Sequence, residues 1–300
     1  MTRPIVTTDP ARAAEVLMNG GIIGMPTETV YGLAARALDE DAVHRVFDVK
    51  GRPRNHPLIV HLSADVDPGT WGVMNAEADA LAERFWPGPL TVLVPRTGLV
   101  PDWVTGGRES VALRVPSHPV CAQLLDICAD GIVAPSANRF GSVSPTTARH
   151  VLADLGDDVD LVLDGGPCSV GVESTIVECI GVPQVLRPGV VSADDVASVV
   201  GAMWNGPAGA ARAPGMLSSH YAPRARLILA DDMEQARALV RDSGARLLWH
   251  DDAVDYARLL YADLRAFDDE GVTTVVALLP DPLGVGAAIR DRLAKAAAPR

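Results

Sequence analysis

The chain has 300 residues, 48% of them hydrophobic and 21% charged, so it can bury a sizeable core and is neither a disordered nor a fibrous sequence. Its formal net charge of −12 repels phosphate on average, which argues against a generic binder of nucleic acid or anionic membrane. Any anion it takes must meet a local cluster of positive charge.

In chain order, the first twelve residues carry no apolar signal core and read as mature protein. Asp9-Pro10 opens a helix by cap chemistry, and Gly20-Gly21 ends it. Residues 21–25 read as a short buried strand, followed directly by polar Pro26-Thr27-Glu28-Thr29. A second helix over 39–49 places Val43, Val46 and Phe47 at helical spacing. It runs into Lys50-Gly51-Arg52-Pro53-Arg54-Asn55-His56-Pro57, which its prolines keep from being helical. Further strands are expected at 58–62, 91–95, 111–115 and 131–134, and helices at 76–86 and 119–128. Ser144-Pro145 then caps a helix to about residue 155. Strands at 161–164, 174–180 and 184–186 and a helix at 192–200 follow. Short strands and helices without clean alternation argue for an open, twisted, mixed α/β sheet.

Residues 206–223 are rich in Gly, Ala and Pro and read as a linker. Beyond it, strands at 227–229, 246–249 and 272–279 alternate with helices at 233–241, 253–266 and 286–297, which implies a small parallel α/β domain. The Gly-x-Gly at 284–286 reads as a helix-entry turn. The expected division is therefore 1–205, a linker at 206–223, and 224–300. No apolar run reaches the ~18 residues of a spanning helix. The four cysteines lack C-x-x-C or zinc spacing and read as buried, reduced thiols of a cytoplasmic protein.

No P-loop, dinucleotide fingerprint, zinc-protease or nucleophile-elbow motif is present. Of the 26 basic side chains only Lys50 and Lys295 are lysines. Lys50, Arg52 and Arg54 lie within five residues in a stretch held by prolines. They read either as a solvated loop or as a clamp for a triphosphate. His56 and His61 flank the adjoining strand. Arg114, among core strand residues, must be paired with a carboxylate or serve as a seat for a substrate carboxylate. Arg187 poses the same question at another strand end. Ser136 and Asn138 offer uncharged donors and acceptors, and Ser144 and Ser174 are ambiguous between caps and anion contacts. His220-Tyr221 suggests that the linker folds onto something. These features describe a locally positive cleft in an acidic shell, suited to a small anionic substrate plus a nucleotide.

Pro26-Thr27-Glu28-Thr29-Val30-Tyr31-Gly32-Leu33, Lys50-Gly51-Arg52-Pro53, Phe85-Trp86-Pro87-Gly88-Pro89-Leu90-Thr91, Ser136-Ala137-Asn138, Ser144-Pro145-Thr146 and Glu173-Ser174-Thr175 occur in that order. Together they resemble the signature of the YrdC-like threonylcarbamoyl-AMP synthases over about residues 5–200. Pro214-Gly215-Met216 and His220-Tyr221-Ala222-Pro223 resemble the linker of the long, two-domain members, whose extra domain is Rossmann-like. The resemblance implies a nucleotidyltransferase that makes threonylcarbamoyl-AMP and pyrophosphate from L-threonine, bicarbonate or CO2, and ATP. Magnesium would come as the ATP counter-ion, with no tightly bound metal. The product would pass to a separate transferase for tRNA modification.

By that resemblance, Lys50 and Arg52 act on the triphosphate as catalytic cations. Thr29, His61, Arg114, Ala134 and Ser174 form the threonine pocket, Ala134 through its backbone because many relatives carry Thr there. His56, Ser110, Ser136, Asn138, Ser144 and Arg187 join Lys50 and Arg52 around ATP, with His220 closing over the nucleotide as a lid. Two rival readings are a non-catalytic RNA-binding module, which the net charge disfavours, and a carbamoyl-phosphate-type transferase, for which length and zinc-type cysteines are lacking.

Overall fold

The computed structural model describes residues 5–203, 213–215 and 221–299. In chain order these form β1 (Ile5–Thr7), α1 (Pro10–Met18), β2 (Ile23–Met25), β3 (Gly32–Arg36), α2 (Glu40–Lys50), β4 (Ile59–His61), α3 (Ala76–Phe85), β5 (Leu90–Pro95), α4 (Asp102–Thr105), β6 (Ser110–Arg114), α5 (Pro119–Cys128) and β7 (Ile132–Val133). Then come α6 (Ala148–Leu155), β8 (Leu161–Leu163), β9 (Thr175–Glu178), β10 (Gln184–Arg187) and α7 (Ala193–Val200). The last part contains β11 (Arg226–Ala230), α8 (Met233–Ser243), β12 (Arg246–Leu248), α9 (Ala253–Asp269), β13 (Thr274–Leu278) and α10 (Val285–Ala297).

Ten strands form one mixed sheet in the order β1-β8-β2-β3-β7-β4-β6-β5-β9-β10. Parallel pairs such as β4 with β6 and β5 with β9 sit beside antiparallel ones such as β5 with β6. The other three strands form a separate parallel sheet, β11-β13-β12. The expected mixed sheet followed by a small parallel one is the architecture observed.

Strand alternation sorts the side chains of the large sheet. Leu33, Val60, Val92, Val94 and Leu113 face a core shared with α2, α3 and α6. On the other face, Ala34, Ile132 and Leu161 pack under α1 and α5, while Ile59, Leu93, Ala112, Ile176 and Leu186 form a smaller apolar patch with Ala213. This second face carries the site. A third core joins the two sheets: Val30, Val143 and Val172 pack with Tyr256, Leu260, Tyr261 and Leu264 of α9. Gly171 permits that approach, since a Cβ there would lie 2.4 Å from the Arg258 Cα.

Several boundaries depart from expectation. The helix expected from Ser144-Pro145 starts instead at Ala148, with the Thr147 hydroxyl accepting from the His150 amide. Both Ser144 and Thr147 have cap chemistry, and the buried Ser144 is engaged elsewhere. The strand β3 and the edge strand β1 were not anticipated, because Gly32-Leu33-Ala34-Ala35 is poor in strand-forming residues and β1 is only three residues long. Gly284 does enter α10, at φ +55°.

Candidate active site

The sheet geometry that exposes Ile59, Ala112 and Ile176 on one face places His61, Arg114 and Ser174 on that same face, two residues along each chain. In β4 and β6, His61 sits directly across from Arg114. A bulge in β10 sets Arg187 opposite Ile176 instead of letting it follow Val185 to the opposite face. Over these strand ends lies a cavity. Its wall includes Thr29, Arg52, His61, Arg114, Ala134, Ser136, Ser174 and Arg187, all expected from the sequence.

Every one of its cations is buried and tethered. Arg114 forms an ion pair with Glu28 at 2.7 Å, donates to the Thr29 hydroxyl at 2.9 Å and reaches the Gly88 carbonyl at 3.2 Å. Arg114 is thus paired with a carboxylate, the first of its two sequence readings, and it also lines the cavity. Arg187 donates to the Ser174 carbonyl and hydroxyl, both at 3.0 Å, and to Pro214 O at 3.3 Å. The Ser174 hydroxyl also bonds Thr91 at 2.8 Å. Arg52 donates to Pro57 O at 3.0 Å, while its Nε has no hydrogen-bond partner among the described residues. Burial, together with the charge of Arg187 and despite Tyr221, brings the Arg52 pKa down to about 10. His61 is sealed from water; burial and the Arg114 charge push its pKa to about 3, so it is a neutral imidazole.

Lys50, His56, Ser110, Asn138 and Ser144 lie outside this wall. Lys50 ends α2 beneath the Ser136–Asn138 turn, its ammonium donating to the carbonyls of Ser136 and of Asn138, the latter at 2.6 Å. Burial and the Arg52 charge lower its pKa well below the ordinary lysine value. The trio of basic residues is therefore split: Gly51 turns left-handed, Arg52 points inward, and Arg54 pairs with Asp48 in solvent. Asn138 is fully buried, bonded to the carbonyls of Arg139 and Ser142. Ser144 donates to Glu173 at 2.6 Å. His56 is half-buried against Phe140, and Ser110 starts β6 opposite Pro95. His220 lies outside the described residues.

The sequence and the fold of the chain both match known proteins. A family model described as "Telomere recombination" covers residues 15–189, and one described as "Threonylcarbamoyl-AMP synthase, C-terminal domain" covers residues 191–298. The threonylcarbamoyl-AMP synthase of Pyrococcus abyssi is 37% identical over 95% of this chain and 92% of its own length. That of Bacillus subtilis is 36% identical over 100% of this chain and 96% of its own. The crystal structure of P. abyssi Sua5 complexed with L-threonine superposes with a TM-score of 0.90 at 34% identity, covering 99% of this chain and 98% of that one. The chain belongs to the two-domain threonylcarbamoyl-AMP synthases. It is a transferase of the nucleotidyltransferase type.

In this synthase four residues at or beside the cavity have no site role in the sequence reading. Glu28 is the counter-charge of Arg114, and Glu173 lines the wall beside Ser174. Tyr221 and Gly215, from the expected linker, close one side. An aromatic residue within a Gly/Pro-rich stretch was the available signal for Tyr221, and the glutamate inside each motif was the signal for the other two.

Proposed function

We propose that this cavity is where L-threonine, carbon dioxide or bicarbonate, and ATP are joined into threonylcarbamoyl-AMP with release of pyrophosphate. The neutral amine of threonine attacks CO2, losing a proton and giving an N-carboxylate. One oxygen of that carboxylate attacks the α-phosphorus of ATP, and the bond to the pyrophosphate oxygen breaks. Anion meets anion at each stage, so the site must hold positive charge away from water. The observation that carries the reading is the convergence of Arg52, Arg114 and Arg187 on one cavity in a molecule of net charge −12.

Arg114, held by Glu28 and Thr29, suits the threonine carboxylate as a forked donor, with His61, Ser174, Thr29 and the Ala134 backbone around it. Arg52 and Arg187 suit the phosphates, with the unpartnered Nε of Arg52 free to donate. Lys50 acts by fixing the Ser136–Asn138 turn and adding charge behind it. His56, Ser110, Asn138, Ser144 and His220 remain the further nucleotide contacts. The carboxylates at or beside the wall, Glu28 and Glu173, are each engaged by an arginine, so magnesium belongs to the ATP substrate. No three His, Cys, Asp or Glu side chains group as metal ligands among the described residues.

The division at 1–205, 206–223 and 224–300, a cytoplasmic location, delivery to a tRNA threonylcarbamoyl transferase and no stable RNA binding complete the reading. Among the described residues no helix is long and apolar enough to cross a membrane. The test is pyrophosphate release from ATP with threonine and bicarbonate supplied together or singly. Release requiring both supports the proposal, and release indifferent to threonine overturns it.

A further inference from the structure

Glu173 lies at the cavity wall, yet two of its three side-chain donors come from the far end of the chain. Arg292 of α10 donates through Nε to Glu173 at 2.7 Å, and Tyr261 of α9 donates to the same carboxylate at 2.9 Å. Ser144 supplies the third donor, at 2.6 Å. Arg292 is among the most deeply buried side chains of the protein, and its other bonds are to Pro188 O at 3.1 Å and to Asp291. Its guanidinium also lies 5.3 Å from the ring centroid of Tyr221, which stacks on Tyr261 at 5.8 Å. Tyr221 holds a left-handed backbone, φ +64°, unfavourable for an aromatic residue and sustained by these contacts. From the same helix, Lys295 donates to Gly215 O, another wall residue, at 2.7 Å.

We infer that Arg292 is a positioning residue for the synthesis site: it cancels the Glu173 charge from behind and locks Tyr221 against the cavity, so that the site is electrostatically complete only when α10 is docked. This rests on the reading of the cavity as the place of synthesis. Without Arg292, Glu173 keeps its bonds from Ser144 and Tyr261 but loses its adjacent cation, and the charge left to act on it is Arg187, the group suited to the phosphates. That competition weakens nucleotide binding.

The test uses the full chain and two readouts, the affinity for a non-hydrolysable ATP analogue and the KM for ATP in threonine-dependent pyrophosphate release. Arg292→Gln weakens both by about tenfold or more. Adding Glu173→Gln to it restores most of the loss, because no uncompensated negative charge remains. A scaffold role predicts the opposite, a double variant no better than the single. Wild-type affinity and KM in Arg292→Gln, or absence of that restoration, overturn the inference. If Arg292→Gln does not fold, Arg292→Lys takes its place: it keeps a cation behind Glu173, so analogue affinity and KM for ATP within about threefold of wild type are expected, and a loss of about tenfold or more overturns the inference. A wild-type chain that binds the analogue but releases no threonine-dependent pyrophosphate sinks the functional reading alone, since the affinity arm still decides the coupling.

Discussion

Arg114 and Glu28 form an ion pair at 2.7 Å with side chains only 4% and 6% exposed, so neither charge has water to fall back on. Burial is the largest influence and opposes ionisation of Glu28, but the Arg114 charge, the bond to Arg114 and the backbone amides of Glu28 and Ser117 together outweigh it and hold the carboxyl below its ordinary pKa. The pair fixes the guanidinium plane, while the hydroxyl of Thr29 holds a second edge. Arg114→Lys keeps the charge and loses the fork. The KM for threonine is expected to rise about tenfold or more, with the KM for ATP changing much less. Steady-state kinetics with each substrate varied in turn decides this, and equal effects on both would remove Arg114 from the threonine side.

The cation cluster makes a contrasting pair of predictions for Arg52 and Lys50. Arg52 lines the cavity and, among the described residues, donates to Pro57 O. Arg52→Gln is therefore expected to reduce kcat by at least about a hundredfold while the melting temperature stays near wild type. Lys50 instead holds two carbonyls that no longer have a cationic donor in Lys50→Met. That variant is expected to lose about 1–3 kcal/mol of stability and to raise the KM for ATP more than that for threonine. Denaturant unfolding alongside kinetics separates the two roles; a Lys50→Met protein as stable as wild type contradicts the second.

Much of this site was legible because period-two alternation and burial rules act locally. An arginine inside Val111-Ala112-Leu113-Arg114 must have a partner whatever the fold, and the same logic found Arg187. The splitting of Lys50, Arg52 and Arg54 was not legible, since it depends on α2 running to Lys50 and on Gly51 turning left-handed behind it. Nor was the true start of α6, because two cap-forming residues stand three apart and only the long-range bond from Ser144 to Glu173 settles between them. Arg292 lies 119 residues from Glu173, and no local pattern links them. Contacts that cross between the two sheets are where reading the chain in order stops.

Acid stability follows from the buried glutamates. Burial disfavours the charge on Glu173, yet Arg292, Arg187 and the bond from Ser144 bring its pKa down from 4.5 to about 2. A carboxylate with a depressed folded pKa adds stability above its unfolded value, and this is lost as pH falls through the folded one. His61 works in the same direction: with its pKa near 3 it resists the protonation that the unfolded chain accepts below 6.5. Wild-type unfolding free energy is expected to fall steeply between pH 6 and 2, by about 3 kcal/mol more than that of Glu173→Gln, which lacks the titrating group. Urea unfolding across that range checks it, and parallel curves for the two proteins would contradict the assignment.

Gly215 offers the sharpest test of the closing segment. Its φ of +81° suits glycine, and a Cβ there would lie 2.7 Å from the Tyr221 hydroxyl and 2.9 Å from Cδ of Arg187. Alanine at this position carries the left-handed penalty of about 1–2 kcal/mol and also pushes two wall residues apart. Tyr221 cannot retreat, because Tyr261 stacks on one side of it and Arg292 lies over its ring. Arg187 is tethered to both polar atoms of Ser174, so its displacement carries into the threonine side of the cavity. Gly215→Ala is therefore expected to lower kcat/KM for both substrates by about tenfold or more while the far-UV circular dichroism stays unchanged. Kinetics indistinguishable from wild type would mean that the 213–215 segment covers the cavity without shaping it.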